Sequence, residues 1–206
     1  MKTTVLVFAK APIKGEVKTR LGKTIGMEAS CWVYKKLLKH TSKILGKSKL
    51  PYVLFENQTD ATLHAIFNSS RSNRLQEGKH LGDKMENAFQ WAFDQGYEKV
   101  LLIGTDLWSL HEDTLIQAQQ ALEQNDFVIG PSYDGGYYLL GMNQMNFKIF
   151  KEVSWSTSRV FKETLLNIRE NSIFFLDIAN DIDNFEDLKA HPSLFNQFQK
   201  HFPKNC

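Results

Sequence analysis

Cysteine is nearly absent from this chain of 206 residues: only Cys31 and Cys206 occur, the first inside an apolar helical pattern. There is no Cys-x-x-Cys pair and no Cys/His zinc spacing, so neither a disulfide framework nor a structural zinc site is implied. That usage suits a reducing compartment. Long apolar runs are missing too. Nothing approaches a membrane span, and Val5 to Ala9 is too short for a signal segment and is followed at once by charges. A cytoplasmic location with no membrane partner is the expectation. Charge of one sign is not in excess: 25 Lys and Arg face 23 Asp and Glu, a net +2. Bulk charge therefore does not favour a nucleic-acid partner. No Pro/Gly/Ser-rich linker, internal repeat or low-complexity segment divides the chain, so residues 1–206 are expected to form one domain.

Several catalytic signatures are missing as well. Gly22-Lys23-Thr24 resembles the end of a P-loop, but position 17, where that loop needs glycine, is Val17. No G-x-G-x-x-G follows the first strand. Asp106, Ser109 and His111 are close in sequence but form no G-x-S-x-G elbow. The six histidines show no ligand spacing.

What is present reads as an ordinary globular protein, 42% hydrophobic and 23% charged, large enough to bury a full core. Val5–Ala9 is a continuous apolar run, the mark of a strand covered on both faces. Residues 10–26 read as one long polar loop. Cys31, Tyr34, Leu38, Thr41 and Leu45 mark a helix over 27–45. A strand at 52–55 and a short helix at 61–67 follow. The stripe Met85, Ala88, Phe89, Ala92, Phe93 predicts a helix over 82–95. Strands at 100–103, 127–129, 137–142 and 173–178 are interspersed with helices at 113–124 and 158–169. The chain from Phe185 onward reads as helical. This alternation predicts a mainly parallel twisted sheet covered on both faces, a three-layer α/β/α arrangement.

Ligands of open α/β sheets bind beyond the carboxyl ends of the strands, and three such places carry chemistry. After the first strand, Lys10, Lys14, Lys18 and Arg20 surround Gly15 and Thr19. Ammonium and guanidinium groups suit phosphate oxygens, and glycine lets backbone N–H groups approach an anion. A solvated basic loop is the equal alternative. After the 100–103 strand comes Gly104-Thr105-Asp106, where Asp106 suits a divalent cation or a turn cap. After the 173–178 strand come Asp177, Asp181 and Asp183. Asp181 and Asp183 point the same way in extended backbone, which favours a cation between them or simply an acidic turn. A fourth feature, Asp134-Gly135-Gly136-Tyr137-Tyr138, is a turn signal followed by two rings that suit a sugar, a base or the core. Trp108 and Trp155 fall in loops.

In order, Phe8-Ala9-Lys10-Ala11-Pro12 through Lys18-Thr19-Arg20-Leu21, Leu81-Gly82-Asp83-Lys84-Met85, Gly104-Thr105-Asp106, Gly130-Pro131 with Asp134 to Gly141, Trp155-Ser156-Thr157, and Asp181-Ile182-Asp183 with Glu186-Asp187-Leu188 resemble the motifs of a bacterial family. It is the glycosyltransferase-A-like family of selenodomain- or arsenosugar-associated transferases. That family is similar to 2-phospho-lactate guanylyltransferase and the molybdenum-cofactor guanylyltransferase. The resemblance covers nearly the whole chain. It implies a nucleotide-diphospho-sugar transferase fold, GT-A-like and Rossmann-like. It implies Mg²⁺ or Mn²⁺ held by Asp106 and Asp183, and nucleotide binding at Lys10, Gly15, Lys18, Thr19, Arg20 and Gly82. Lys18, Arg20 and Asp106 would act in catalysis. Asp134, Gly135, Gly136, Tyr137, Tyr138 and Trp155 would face a small-molecule acceptor. Two positions depart from the family pattern: Trp108 stands for proline and Lys84 for arginine. Three readings follow: nucleotidyl transfer from an NTP, glycosyl transfer from a nucleotide-sugar, and a non-catalytic nucleotide-binding domain whose site Trp108 blocks. Against the second, Gly104 leaves no D-x-D after the strand.

Overall fold

The computed structural model describes residues 2–203; Cys206 lies outside them. Within these residues seven strands form one sheet: β1 (Thr3–Ala9), β2 (Tyr52–Glu56), β3 (Asn73–Leu75), β4 (Lys99–Ile103), β5 (Phe127–Pro131), β6 (Tyr137–Met142) and β7 (Ile173–Phe175). Their order is β3-β2-β1-β4-β6-β5-β7. Every neighbouring pair is parallel except the two that β6 makes. The mostly parallel sheet expected from the alternation is what forms.

Among the described residues eight helices cover it: α1 (Thr19–Ile25), α2 (Met27–Ser48), α3 (Ala61–Ile66), α4 (Leu81–Asp94), α5 (Glu112–Ala121), α6 (Val160–Asn167), α7 (Phe185–Lys189) and α8 (Pro192–His201), with a 3-10 turn at Phe147–Phe150. Two buried clusters lie on opposite faces. Val5, Val7 and Ala9 join α1, α2, α5, α7 and α8 in one; Leu6 joins α4 and the 3-10 turn in the other. Successive strand residues point to opposite faces, so Val5–Ala9 of β1 and Val100–Ile103 of β4 are continuously apolar because both faces are covered.

Three readings are corrected or refined. The segment 10–26 is not all loop, because Thr19–Ile25 is helical. Its glycine does not break it: Gly22 is buried, and a Cβ there would come 2.5 Å from Met27 Sδ and 2.9 Å from Ser30 Oγ. Glycine thus lets α1 lie directly on α2. The helical reading from Phe185 onward is refined to two helices, Phe185–Lys189 and Pro192–His201. His191 adopts a non-helical ψ of 82° before Pro192, which starts the next helix. The strand at 173–178 ends at Phe175, although Leu176 and Ala179 still donate to Ile129 and Pro131 of β5. The three-residue β3 showed no pattern of its own; it exists by pairing with β2, while the Arg74 guanidinium lies 3.9 Å from the Trp91 ring centre.

The chain runs outward from β1 through β2 to β3, then returns to place β4 on the other side of β1. The loops after β1 and β4 therefore diverge and open a crevice at the sheet's carboxyl edge. Because β6 is antiparallel, it begins at that same edge. The 132–136 turn before it opens on the crevice too.

Candidate active site

The crevice is a cleft of about 850 Å³, within the range of small-molecule sites. Of the residues singled out from the sequence, Lys10, Lys18, Thr19, Arg20, Asp106, Asp134, Gly136, Tyr137, Tyr138, Trp155, Asp181 and Asp183 all line it.

Its centre is an ion triad. Lys18 Nζ lies 2.7 Å from Asp106 Oδ1 and 2.9 Å from Asp183 Oδ1, with the lysine side chain only 5% exposed. Burial pulls the ammonium down, but Asp106 and Asp183, by charge and hydrogen bond, outweigh it and hold Lys18 above the ordinary lysine range. Arg20 is mostly exposed, its Nη1 3.8 Å from Asp183 Oδ2. The two aspartates are brought together by backbone: Ile182 N–H donates to Asp106 O at 3.0 Å. Asp187 braces the acidic turn, accepting from the Asp183 and Asn184 N–H groups and from Asn180 Nδ2.

Asp181 lies on the other side of Ile182 and accepts from Ser132 Oγ at 3.2 Å. Burial, then the charges of Asp106, Asp183 and Asp134, push its carboxyl up to about 7 despite the opposing pull of Lys18. The sequence reading paired it with Asp183 but placed only Asp183 on the metal.

Tyr34, which the sequence marked only as a core position of α2, ties the cleft's two walls together. Its hydroxyl accepts from Lys10 N–H at 2.9 Å and shares a hydrogen bond with Thr105 Oγ1 at 3.2 Å. Burial, then Asp106, raises it to about 12. Gln76, just after β3, was also missed; its amide donates to Ala9 O and Phe55 O. No local pattern marks a glutamine in a loop that becomes a wall only after folding.

Other expectations are redirected. Gly15, Gly82 and Gly135 do not line the cleft. Gly82 is covered by Trp155: a Cβ there would run into the indole ring, so glycine at this position seats that ring. Gly135, at φ 88°, packs on the Ser158 backbone. The tyrosines line the cleft without free hydroxyls. Tyr138 donates to Asp177 O at 3.0 Å, and burial, then Asp177 and Asp181, raises it to about 12. The Tyr137 hydroxyl is sealed inside, beside the Thr164 side chain. Asp134 accepts from Gly136 N–H, the turn role weighed for it. Trp108 does not block the cleft. Its indole N–H donates to Ser193 Oγ at 2.9 Å, and its ring lies 4.7 Å from that of His40, away from the cleft. Lys84 does line the cleft.

Among the described residues no group of three or more His, Cys, Asp or Glu side chains is arranged to hold a metal ion. The pair Asp106 and Asp183 still offers hard carboxylate oxygens at one point. Mg²⁺ is commonly held by one or two carboxylates plus phosphate oxygens, so the donor set fits such an ion arriving with a nucleotide.

Residues 43–157 match the family described as "Uncharacterized protein conserved in bacteria (DUF2064)". The chain belongs to this family. Solved structures place the DUF2064 chain in a wider fold group. It is similar to a Desulfovibrio desulfuricans G20 protein carrying the provisional name nucleotide-diphospho-sugar transferase, at 26% identity and a TM-score of 0.85, covering 96% of this chain and 98% of that one. It also resembles the 4-diphosphocytidyl-2C-methyl-D-erythritol synthase of Anaerococcus prevotii, at 12% identity and a TM-score of 0.64, over 94% and 96% of the two chains. A Mycobacterium tuberculosis H37Rv protein, solved in complex with manganese, aligns at 12% identity and a TM-score of 0.59, over 92% and 97%. No curated protein matches. The α/β fold is therefore the one shared by nucleotide-diphospho-sugar transferases and nucleotidyltransferases.

Proposed function

We propose that this DUF2064 protein is a divalent-metal-dependent transferase that moves a nucleotidyl group from an NTP to a small acceptor bearing phosphate or carboxylate. One observation carries the reading. At the β1/β4 crevice a buried ammonium and two carboxylates converge, with Lys10, Arg20 and Lys84 around the same cleft. A triphosphate brings more negative charge than a diphosphate and needs this density of cations. Acceptor oxygen would form its bond to the α-phosphorus as the bond to the departing pyrophosphate breaks. Lys18 and Arg20 would neutralise charge on the transferring phosphate, where fixed cations act most strongly. Asp106 and Asp183 would hold Mg²⁺ or Mn²⁺, which supplies further stabilisation of phosphate charge when bound. Trp155, Tyr137 and Asp134 would border the acceptor. The reading includes a cytoplasmic enzyme of one domain with no nucleic-acid or membrane partner; no helix among the described residues is long and apolar enough to cross a membrane.

Isothermal titration with GTP and CTP, with and without Mg²⁺, tests this. Binding should require the metal and be lost in Asp106→Ala; undiminished binding by that variant removes the metal role. Glycosyl transfer is the second reading, favoured by the name of the Desulfovibrio relative. Release of pyrophosphate from NTPs supports the first reading, and release of nucleoside diphosphate from a panel of UDP-, GDP- and dTDP-sugars the second. The non-catalytic reading loses its structural motive, because Trp108 points away from the cleft.

A further inference from the structure

Lys18 is held in an unusual way. Its backbone sits at φ 48°, ψ 43°, the left-handed region, directly before α1. A non-glycine residue persists there only where its surroundings enforce it. The result of that backbone turn is a side chain aimed inward, 5% exposed, with its ammonium between carboxylates from two separate segments. An ammonium is a compact point charge on a flexible four-carbon stem. It lies against the Asp106 and Asp183 oxygens that a divalent ion would need. Arg20 cannot substitute, being 78% exposed and 3.8 Å from its nearest carboxylate oxygen. Asp106, Asp181 and Asp183 all border the cleft around Lys18, so carboxylate oxygens suited to a divalent ion are present, yet two cations cannot share the same pair of oxygens.

We propose that Lys18 is a resident counter-cation that a divalent ion must displace, and that nucleotide phosphate supplies the partner that releases it. The inference rests on the transferase reading and deepens it. The stem lets the ammonium swing from the carboxylates to phosphate oxygens, leaving Asp106 and Asp183 to the metal. Metal and phosphate then bind with positive coupling, and the coupling is reciprocal. Without phosphate, Lys18 keeps the site closed to free divalent ions.

The test is Mn²⁺ binding without nucleotide, by calorimetry, in the full chain. Lys18→Met should bind Mn²⁺ roughly tenfold or more tightly than the unmodified protein, a difference of about 1.4 kcal/mol or more. Equal or weaker binding overturns the proposal. Adding Asp106→Asn to Lys18→Met separates the two levels of inference. Loss of Mn²⁺ in the double variant places the ion at this pair. Retention sinks the cation placement itself, and this proposal with it. If Asp106 proves necessary but Lys18→Met gains nothing, only the displacement falls. Should Lys18→Met fail to fold, the unmodified protein still decides. The ¹⁵N–¹H signal of the Lys18 ammonium, assigned through its own side-chain carbons, should hold position with Mg²⁺ alone and shift when Mg²⁺ and pyrophosphate are both present. A signal unmoved by both together, or fully moved by Mg²⁺ alone, overturns the proposal.

Discussion

Replacing Tyr34 with phenylalanine removes one oxygen atom, and that atom joins the two loops that form the cleft. The hydroxyl accepts the Lys10 backbone N–H and shares a hydrogen bond with Thr105. The ring is almost fully buried, so the variant keeps its packing and loses only polar contacts. Each bond contributes about 0.5–1.5 kcal/mol net, and partners left behind in a buried place add to the loss. A total near 2 kcal/mol is expected, which for a chain of this size lowers the melting temperature by roughly 4–8 °C. The more informative effect is local. Lys10 begins the basic loop and Thr105 precedes Asp106, so the loss frees the two walls to shift against each other. Calorimetric melting and Mg²⁺–nucleotide titration on the same preparation read both effects, with nucleotide affinity weakening several-fold while the fold persists. A variant that melts within a degree of the parent and binds nucleotide equally well would show that Tyr34 does not hold the cleft together.

Gly82→Ala should displace Trp155, since the new methyl would overlap the indole. The expectation is about 1–3 kcal/mol of destabilisation and a shifted tryptophan emission, read by melting and fluorescence. Trp108→Ala loses the Ser193 hydrogen bond and the His40 contact, about 1–2 kcal/mol. Its nucleotide affinity should match the parent's, because the ring is outside the cleft; a large change in affinity would contradict that placement. His40 is pulled below the ordinary histidine range by burial, opposed by the Leu110 carbonyl, with His111, Lys43 and Lys47 adding to the lowering. The unfolded chain therefore takes up that proton first as pH falls through about 6.5, so acid favours unfolding. Melting temperature should decline on the acid side of that value, and His40→Gln should flatten part of the decline.

The continuous apolar runs of β1 and β4 and the stripe Met85 to Phe93 declared the layers by themselves, because a strand covered on both faces and a helix with one buried side leave different periods in the chain. The basic loop, Asp106 and the acidic pair were legible as strand-end residues, since the carboxyl edge of a parallel sheet is where ligands gather. Folding decided what they do together. Lys18, Asp106 and Asp183 are scattered along 165 residues, and only the placement of β1 beside β4, with Ile182 bonded to Asp106, turns three charges into one triad. Gly82 lies against the Trp155 ring, which its own neighbours in sequence do not announce; Trp108 looked like a plug and proved to face α8. Tyr34 looked like core and proved to be the tie between two loops. In each case the missing information was which surface the side chain would meet. Local sequence carries backbone preference and hydrophobic period, but contacts between distant segments exist only once the sheet order is set.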